Sequence, residues 1–208
     1  MTTPSWDDAY SGQVPPPWDL GQPQPPFVRL AGQGLLTGQL LDAGCGTGEQ
    51  TLLAAASGAD ALGVDVSPLA LEQARAKAAA RGILAAAGGQ VGKARFEVAD
   101  ALSLGDLGLS FDIIIDSGLF HVFDDDNRTR YVSSLASVLR PGGRLYLMCF
   151  SERQPGAFGP RRVTQNELRA AFDDGWTIVA IQADEFGLNP GVFPTTTAQA
   201  WLATVGRD

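Results

Sequence analysis

Histidine occurs once in these 208 residues, at His121, and cysteine only twice, at Cys45 and Cys149. With so few thiols a disulfide framework is not expected, and reduced cysteines fit a reducing compartment. Any step that needs an imidazole must use His121. Basic residues are also scarce, 15 Lys and Arg against 23 Asp and Glu, for a net charge of −8. Nucleic-acid enzymes carry a basic footprint. The only tight basic pair here is Arg161-Arg162, so a nucleic-acid partner is not expected. No apolar run approaches the roughly 20 residues that span a membrane. The first residues, Met1 to Asp8, lack the basic and apolar regions of a signal peptide. The expectation is a cytoplasmic protein without membrane contact. No internal repeat is present, and the length suits one domain with a sizeable core.

Glycine, by contrast, is plentiful, with 25 in the chain. Three of them fall at alternate positions in Gln39-Leu40-Leu41-Asp42-Ala43-Gly44-Cys45-Gly46-Thr47-Gly48-Glu49. The apolar residues before them read as the end of a buried strand, and Gln50 to Ala56 reads as a helix. Strand, glycine turn and helix form the first unit of a nucleotide-binding α/β fold. The spacing is not G-x-G-x-x-G, the dinucleotide fingerprint. Asp42, two residues before Gly44, would repel a pyrophosphate and suit a ligand with an ammonium or sulfonium charge.

Further along, strands are expected at 61–65, 94–99, 111–116, 144–150, 177–183 and 201–205. Helices are expected within 27–37, ending near Gly32 or Gly34, and at 69–81, 127–139 and 165–172. Ser67 caps the second of these, with Pro68 in its first turn. Residues 83–93 read as an alanine- and glycine-rich loop. The alternation predicts an α/β fold, a Rossmann-like, doubly wound, mostly parallel seven-stranded sheet with helices on both faces. Residues 1–26 hold many prolines, which forbid a long helix. They also hold Trp6, Tyr10 and Trp18, so the segment reads as a lid over the ligand end of the sheet rather than a disordered tail. Residues 27–208 form the main domain.

Four strands in succession end in an aspartate: Asp42, Asp65, Asp100 and Asp116. Ligands of open α/β sheets lie outside the carboxyl ends of the strands, so all four carboxylates are expected on one rim. Each alone would be an ordinary strand-end turn residue. With the glycine run, the pattern resembles the class I S-adenosylmethionine-dependent methyltransferases. The resemblance implies that Asp65 holds the ribose, that Asp100 and Ala101 meet the adenine edge, and that Val66 packs on its face. It implies that Gly44 and Gly46 approach the methionine part of S-adenosylmethionine, and Asp42, Cys45, Asp116 and Ser117 are also expected to bind the cofactor.

A narrower likeness lies in Pro17-Trp18-Asp19-Leu20-Gly21-Gln22-Pro23-Gln24-Pro25, which resembles the N-terminal segment of the thiol, halide and thiopurine methyltransferases. There Trp18 and Gln22 would close the cofactor site. Asp116-Ser117-Gly118-Leu119-Phe120-His121-Val122-Phe123, Cys149-Phe150-Ser151 and Gly159-Pro160-Arg161-Arg162-Val163 resemble the mycobacterial methyltransferases of heterocyclic toxins and alkylquinolones. The plant halide members have proline where this chain has Asp42-Ala43, which argues against a halide.

The expected reaction is in-line methyl transfer to a small aromatic or heterocyclic acceptor at O, N or S. A thiol or halide methyltransferase is the alternative; a non-catalytic S-adenosylmethionine-binding module and an NAD-dependent reductase are further ones. Tyr10, Phe120, His121 and Phe150 are expected at the acceptor. His121 is expected to orient it or remove its proton, against the simpler reading that it only packs. Bringing donor and acceptor together supplies roughly 7–11 kcal/mol, more than the roughly 10²–10⁴ in rate that a base adds. No metal is expected, because Asp124-Asp125-Asp126 reads as a helix cap. Arg161 and Arg162 either grip an acceptor carboxylate or are solvated or paired. The oligomeric state is left open.

Overall fold

A computed structural model describes residues 6–12, 14–83, 93–157, 159–189 and 195–208. The seven strands of its sheet are β1 (Gln39–Ala43), β2 (Asp60–Asp65), β3 (Lys93–Val98), β4 (Phe111–Ser117), β5 (Leu139–Phe150), β6 (Trp176–Gly187) and β7 (Thr197–Arg207). Their order across the sheet is β3-β2-β1-β4-β5-β7-β6. The pairs among β1 to β5 are parallel, whereas β7 runs antiparallel to both β5 and β6. The chain order reverses between β1 and β4, which opens a crevice at the carboxyl ends of those strands.

The helices are α1 (Trp6–Tyr10), α2 (Pro25–Gly32), α3 (Glu49–Ala56), α4 (Pro68–Ala80), α5 (Asp125–Val138) and α6 (Gln165–Ala171). Alternate strand residues feed two separate cores. Leu40, Ile113, Ile115 and Met148 join α2, α3 and α4 on one face. Leu41, Ile114, Leu145 and Leu147 join α5 and α6 on the other. Both faces of the central strands are thus buried, which explains their near-continuous apolar character.

Local signals set several boundaries. Ser67 Oγ accepts from the Ala70 N–H and opens α4, and Asp124 Oδ1 caps α5 through the Asn127 N–H. Thr164 and Glu167 form a capping box at α6. Helix α2 ends at Gly32, with Gln33 as its cap, as expected, but it starts two residues early, at Pro25, whose missing N–H costs nothing in the first turn. β5 begins at Leu139, not at residue 144, because Leu139 already pairs with Phe111 and the register then shifts before Ile113. β6 and β7 are longer than expected, since eleven register pairs bind them to each other. Most of the expected loop 83–93 lies outside the described residues.

Candidate active site

The crevice is a cavity of about 560 Å³ whose walls come from the glycine turn, the ends of β2 and β4, and the N-terminal segment. The turn at its floor needs glycine. Gly44 and Gly46 have φ of +70° and +51°, a left-handed region that other residues enter only at a cost. A Cβ on Gly46 would also stand 2.8 Å from Tyr10 Oη, and one on Gly44 would stand 2.9 Å from Leu119. Asp65 fastens this turn: its Oδ2 accepts from the Gly46 N–H at 2.8 Å and its Oδ1 from the Ser67 N–H at 2.9 Å. Burial raises its pKa, and these hydrogen bonds work against the rise.

The N-terminal segment covers that floor. Trp18 Nε1–H donates to Tyr10 Oη at 3.2 Å, and Trp6 meets Trp18 edge-on. Burial pushes the Tyr10 hydroxyl well above its ordinary range. Asp7 accepts from the Ser67 hydroxyl, and Gln73 Nε2–H donates to the Tyr10 carbonyl at 3.1 Å. Asp19 accepts from the Thr47 hydroxyl at 2.9 Å and lies 3.8 Å from Lys77. Lys77 and Arg81 both pair with Glu49, at 2.9 and 2.8 Å. Although burial opposes it, hydrogen bonds from Arg81 and Lys77 hold Glu49 below the usual carboxylate range. Gln24 ties the segment's end to β6 by accepting from the Gly187 N–H and donating to the Gly187 carbonyl.

The opposite wall is aromatic. His121 packs edge-on to Phe150, with ring centroids 5.1 Å apart, and lies 5.8 Å from Phe186; Phe150 and Phe186 are 5.3 Å apart. His121 Nδ1 accepts a hydrogen bond from the Phe150 N–H at 2.9 Å. Burial, then the charges of Arg128 and Arg162, push its pKa down to about 3, so the ring is neutral. Leu119, Val122, Phe123, Gly159, Pro160 and Leu188 complete this side.

Most residues expected at the site line one cavity: Tyr10, Trp18, Gln22, Gly44, Cys45, Gly46, Asp65, Val66, Asp100, Ala101, Ser117, His121 and Phe150. Three do not, which corrects the expected rim of four carboxylates and the expected role of Phe120. Asp42 is 1% exposed, and its Oδ2 accepts from the Thr51 hydroxyl at 2.6 Å while its Oδ1 has no hydrogen-bond partner among the described residues. Asp116 is fully buried and accepts from the Leu119 and Phe120 N–H groups and the Tyr131 hydroxyl. Burial raises both carboxyls to about 7. Phe120 points into the core, stacked on Phe172 and under the Arg128 guanidinium.

The basic pair and the acidic run are also accounted for. Arg161 pairs with Asp125 and Glu167. Arg162 donates to the carbonyls of Gln154, Gly156 and Pro160, organising the loop whose Gly159 and Pro160 line the cavity. Sequence reasoning missed Gln24, Gln50, Phe186 and Leu188, which also line it. Gln50 had an advance signal beside the glycine turn, and Gln24 lies within the N-terminal motif Pro17 to Pro25. Phe186 and Leu188 reach the cavity from β6 and the residue after it, far from the glycine turn in sequence. Among the described residues no group of three or more His, Cys, Asp or Glu could hold a metal ion, and no helix is long and apolar enough to cross a membrane.

A family model described as a methyltransferase domain matches residues 40–143. The chain is 33% identical, over 93% of its length and 86% of the relative's, to the 2-heptyl-1-hydroxyquinolin-4(1H)-one methyltransferase of Mycobacteroides abscessus. It is 24% identical to a probable thiol methyltransferase of Arabidopsis thaliana, over 89% of this chain and 79% of that one. Among solved structures, one concerned with conversion of a disulfide bond into a thioacetal group during echinomycin biosynthesis superposes with a TM-score of 0.84. It is 38% identical and covers 97% of this chain and 91% of its own.

Proposed function

Because the chain belongs to the S-adenosylmethionine-dependent methyltransferases, we propose that it methylates a small, flat aromatic or heterocyclic acceptor held against His121, Phe150 and Phe186. S-adenosylmethionine, when bound, supplies an electrophilic methyl group on a sulfonium. The residues present fit it. The glycine turn is a cradle that a Cβ would fill, and Asp65, Asp100 and Ala101 line the same cavity. In this reading Gly44, Gly46 and Ser117 lie along the methionine part, Asp65 and Gln22 near the ribose, and Val66, Asp100 and Ala101 around the adenine. Asp42 and Asp116 act from beneath, by holding the turns.

The observation that carries the reading is the aromatic wall facing the glycine turn across one cavity. Such a wall binds a planar ring by offset and edge contacts, and the N-terminal segment acts as the lid that excludes water. Holding the two reactants together is worth roughly 7–11 kcal/mol, more than a base would add. The Mycobacteroides relative's hydroxyquinolone is an acceptor of this shape. The acidic surface, with a net charge of −8, disfavours nucleic acid as acceptor, and the reduced cysteines suit the cytoplasm. A sulfur acceptor is the second reading, favoured by the 38% identity to the structure from echinomycin biosynthesis.

The test is release of adenosylhomocysteine with a panel of hydroxyquinolines, phenols, thiols and disulfides, products being identified by mass. Turnover with ring hydroxyls is expected. Turnover confined to thiols or disulfides would select the second reading. Tight cofactor binding with no turnover anywhere would leave a non-catalytic module.

A further inference from the structure

We infer that His121 presents an Nε2–H donor to the acceptor atom, so the preferred acceptor is an acidic ring hydroxyl that binds as its oxyanion. This deepens the aromatic-acceptor reading above and rests on it. A neutral imidazole carries one N–H and one lone pair. Here the lone pair is committed, because Nδ1 accepts from the Phe150 N–H at 2.9 Å in a buried strand end. The proton therefore resides on Nε2. Turning the ring over would set a carbon against that N–H and leave a buried donor unpaired. Phe150, packed edge-on, and Phe186, tilted against the imidazole, hold the ring in place.

Among the described residues His121 makes no hydrogen bond besides the one at Nδ1, and both His121 and Gly118, which lies against Nε2, line the cavity. A general base needs a vacant lone pair facing the substrate, and this imidazole has none. The charged groups around it favour an anion instead: Arg128 approaches from α5 and Arg162 from the loop after β5. Asp116, at the end of β4, is engaged by Leu119, Phe120 and Tyr131. Phe186, from β6, brings no charge. The titratable groups lining the cavity elsewhere are Tyr10, Asp19, Cys45, Glu49, Asp65 and Asp100, and the Cys45 thiol stays at the glycine turn, on the Gly46 carbonyl. Tyr10, Asp19, Glu49 and Asp65 serve the glycine turn and its cover, and Asp100 accepts from the Leu102 N–H.

An anionic acceptor closes the balance without a base. A lone pair of its oxygen forms the bond to the methyl carbon as the carbon–sulfur bond of the sulfonium breaks, and that electron pair remains on sulfur. The products are a neutral methyl ether and neutral adenosylhomocysteine, and no proton needs to be removed at the site.

The test uses phenols and hydroxyquinolines of graded acidity, with His121→Gln and His121→Phe beside the wild type. Glutamine keeps an N–H donor near Nε2 but cannot act as a base; phenylalanine keeps neither function. The acid limb of kcat/KM should move with the acceptor's own pKa. His121→Gln should stay within about tenfold of wild type, and His121→Phe should lose about 10²–10³-fold, as for loss of one oxyanion donor. A second readout needs no turnover. With adenosylhomocysteine present, para-nitrophenol bound below its free pKa should show the phenolate absorption band in wild type and His121→Gln, but not in His121→Phe. An acid limb fixed at one pH for every acceptor, with His121→Gln as impaired as His121→Phe, would overturn the inference. The graded series on the wild type decides the matter even if a variant does not fold. If no acceptor turns over, the proposed function fails, while the absorption experiment still reports on His121.

Discussion

Replacing Asp116 separates a carboxylate that frames the site from one that touches the ligand. Its Oδ1 accepts from the Leu119 N–H at 2.7 Å, and its Oδ2 from the Phe120 N–H and Tyr131 hydroxyl, both at 3.0 Å. The side chain is 0% exposed. Asparagine offers one acceptor oxygen and one NH2. If the oxygen faces Phe120 and Tyr131, the NH2 confronts the Leu119 N–H. If it faces Leu119, the Tyr131 hydroxyl can turn to accept, but the Phe120 N–H is stranded. Either way one buried donor is orphaned, at about 1–3 kcal/mol. At about 2–4 °C per kcal/mol for a chain of this size, Asp116→Asn should melt roughly 2–10 °C lower, less whatever relief comes from removing a buried charge. Asp116→Ala strands all three donors and leaves a cavity, so it should cost about 4 kcal/mol or more. The turn from Leu119 to Val122 carries His121, so kcat should fall in Asp116→Asn. The S-adenosylmethionine Kd should stay within about threefold, well under the tenfold that corresponds to about 1.4 kcal/mol. Calorimetric titration and a melting curve on the same preparation give both numbers. An unchanged melting temperature with a Kd raised tenfold or more would show that the carboxylate meets the ligand directly and does not merely frame the site.

Other outcomes follow from the same contacts. Asp42 and Asp116 have pKa values raised from 3.8 to about 7, so the folded protein holds protons that the unfolded chain has shed. Their contribution to stability is full below about pH 4 and is lost as pH rises through about 7, by a few kcal/mol. In urea titrations, wild type should lose stability relative to Asp42→Asn across that window; parallel curves would place the carboxyl at an ordinary pKa. Glu49→Gln breaks the pairs with Lys77 and Arg81 and should destabilise by about 1–3 kcal/mol, a deficit that shrinks as pH falls through the Glu49 pKa. A deficit independent of pH would refute that account. Asp19→Ala removes the acceptor of the Thr47 hydroxyl, so stopped-flow release of S-adenosylmethionine should quicken several-fold with little change in melting temperature. An unaltered release rate would detach the N-terminal segment from cofactor retention. Asp124 is spent as a helix cap and Asp125 on Arg161, so EDTA should leave turnover intact. Loss of activity restored by Mg²⁺ would reverse that expectation.

How far the sequence could be read depended on how near the partners lie. Ser67 and Asp124 announce the starts of α4 and α5 because each caps a donor three residues away. The glycine turn was legible for a similar reason: its left-handed backbone is a property of Gly44 and Gly46 themselves. Asp42, Asp65 and Asp116 fall at strand ends as expected, whereas Asp100 lies two residues past β3 and caps the turn that follows; of the four only Asp65 and Asp100 line the cavity. A strand's last residue turns inward or outward according to what receives it. Asp42 is received by Thr51, nine residues on, and Asp116 by Tyr131, fifteen residues on; neither partner stands out in a pattern of hydrophobic residues. Gln24 and Gly187 are 163 residues apart and meet through the backbone groups of Gly187, which no side-chain pattern encodes.

His121 is the sharpest case. As the only histidine it was bound to be noticed, but its chemistry is decided by the Phe150 N–H, 29 residues later. The same imidazole with Nδ1 bonded to a carbonyl would hold a lone pair at Nε2 and could act as a base. A single backbone donor at the end of β5 therefore sets the polarity of the acceptor site. Because β7 pairs with β5 through Phe150 and Ala200, that donor is fixed by the sheet itself and not by a mobile loop. The preference for an anionic acceptor should then persist in variants that reshape Leu188, which lines the cavity but has no part in holding the imidazole.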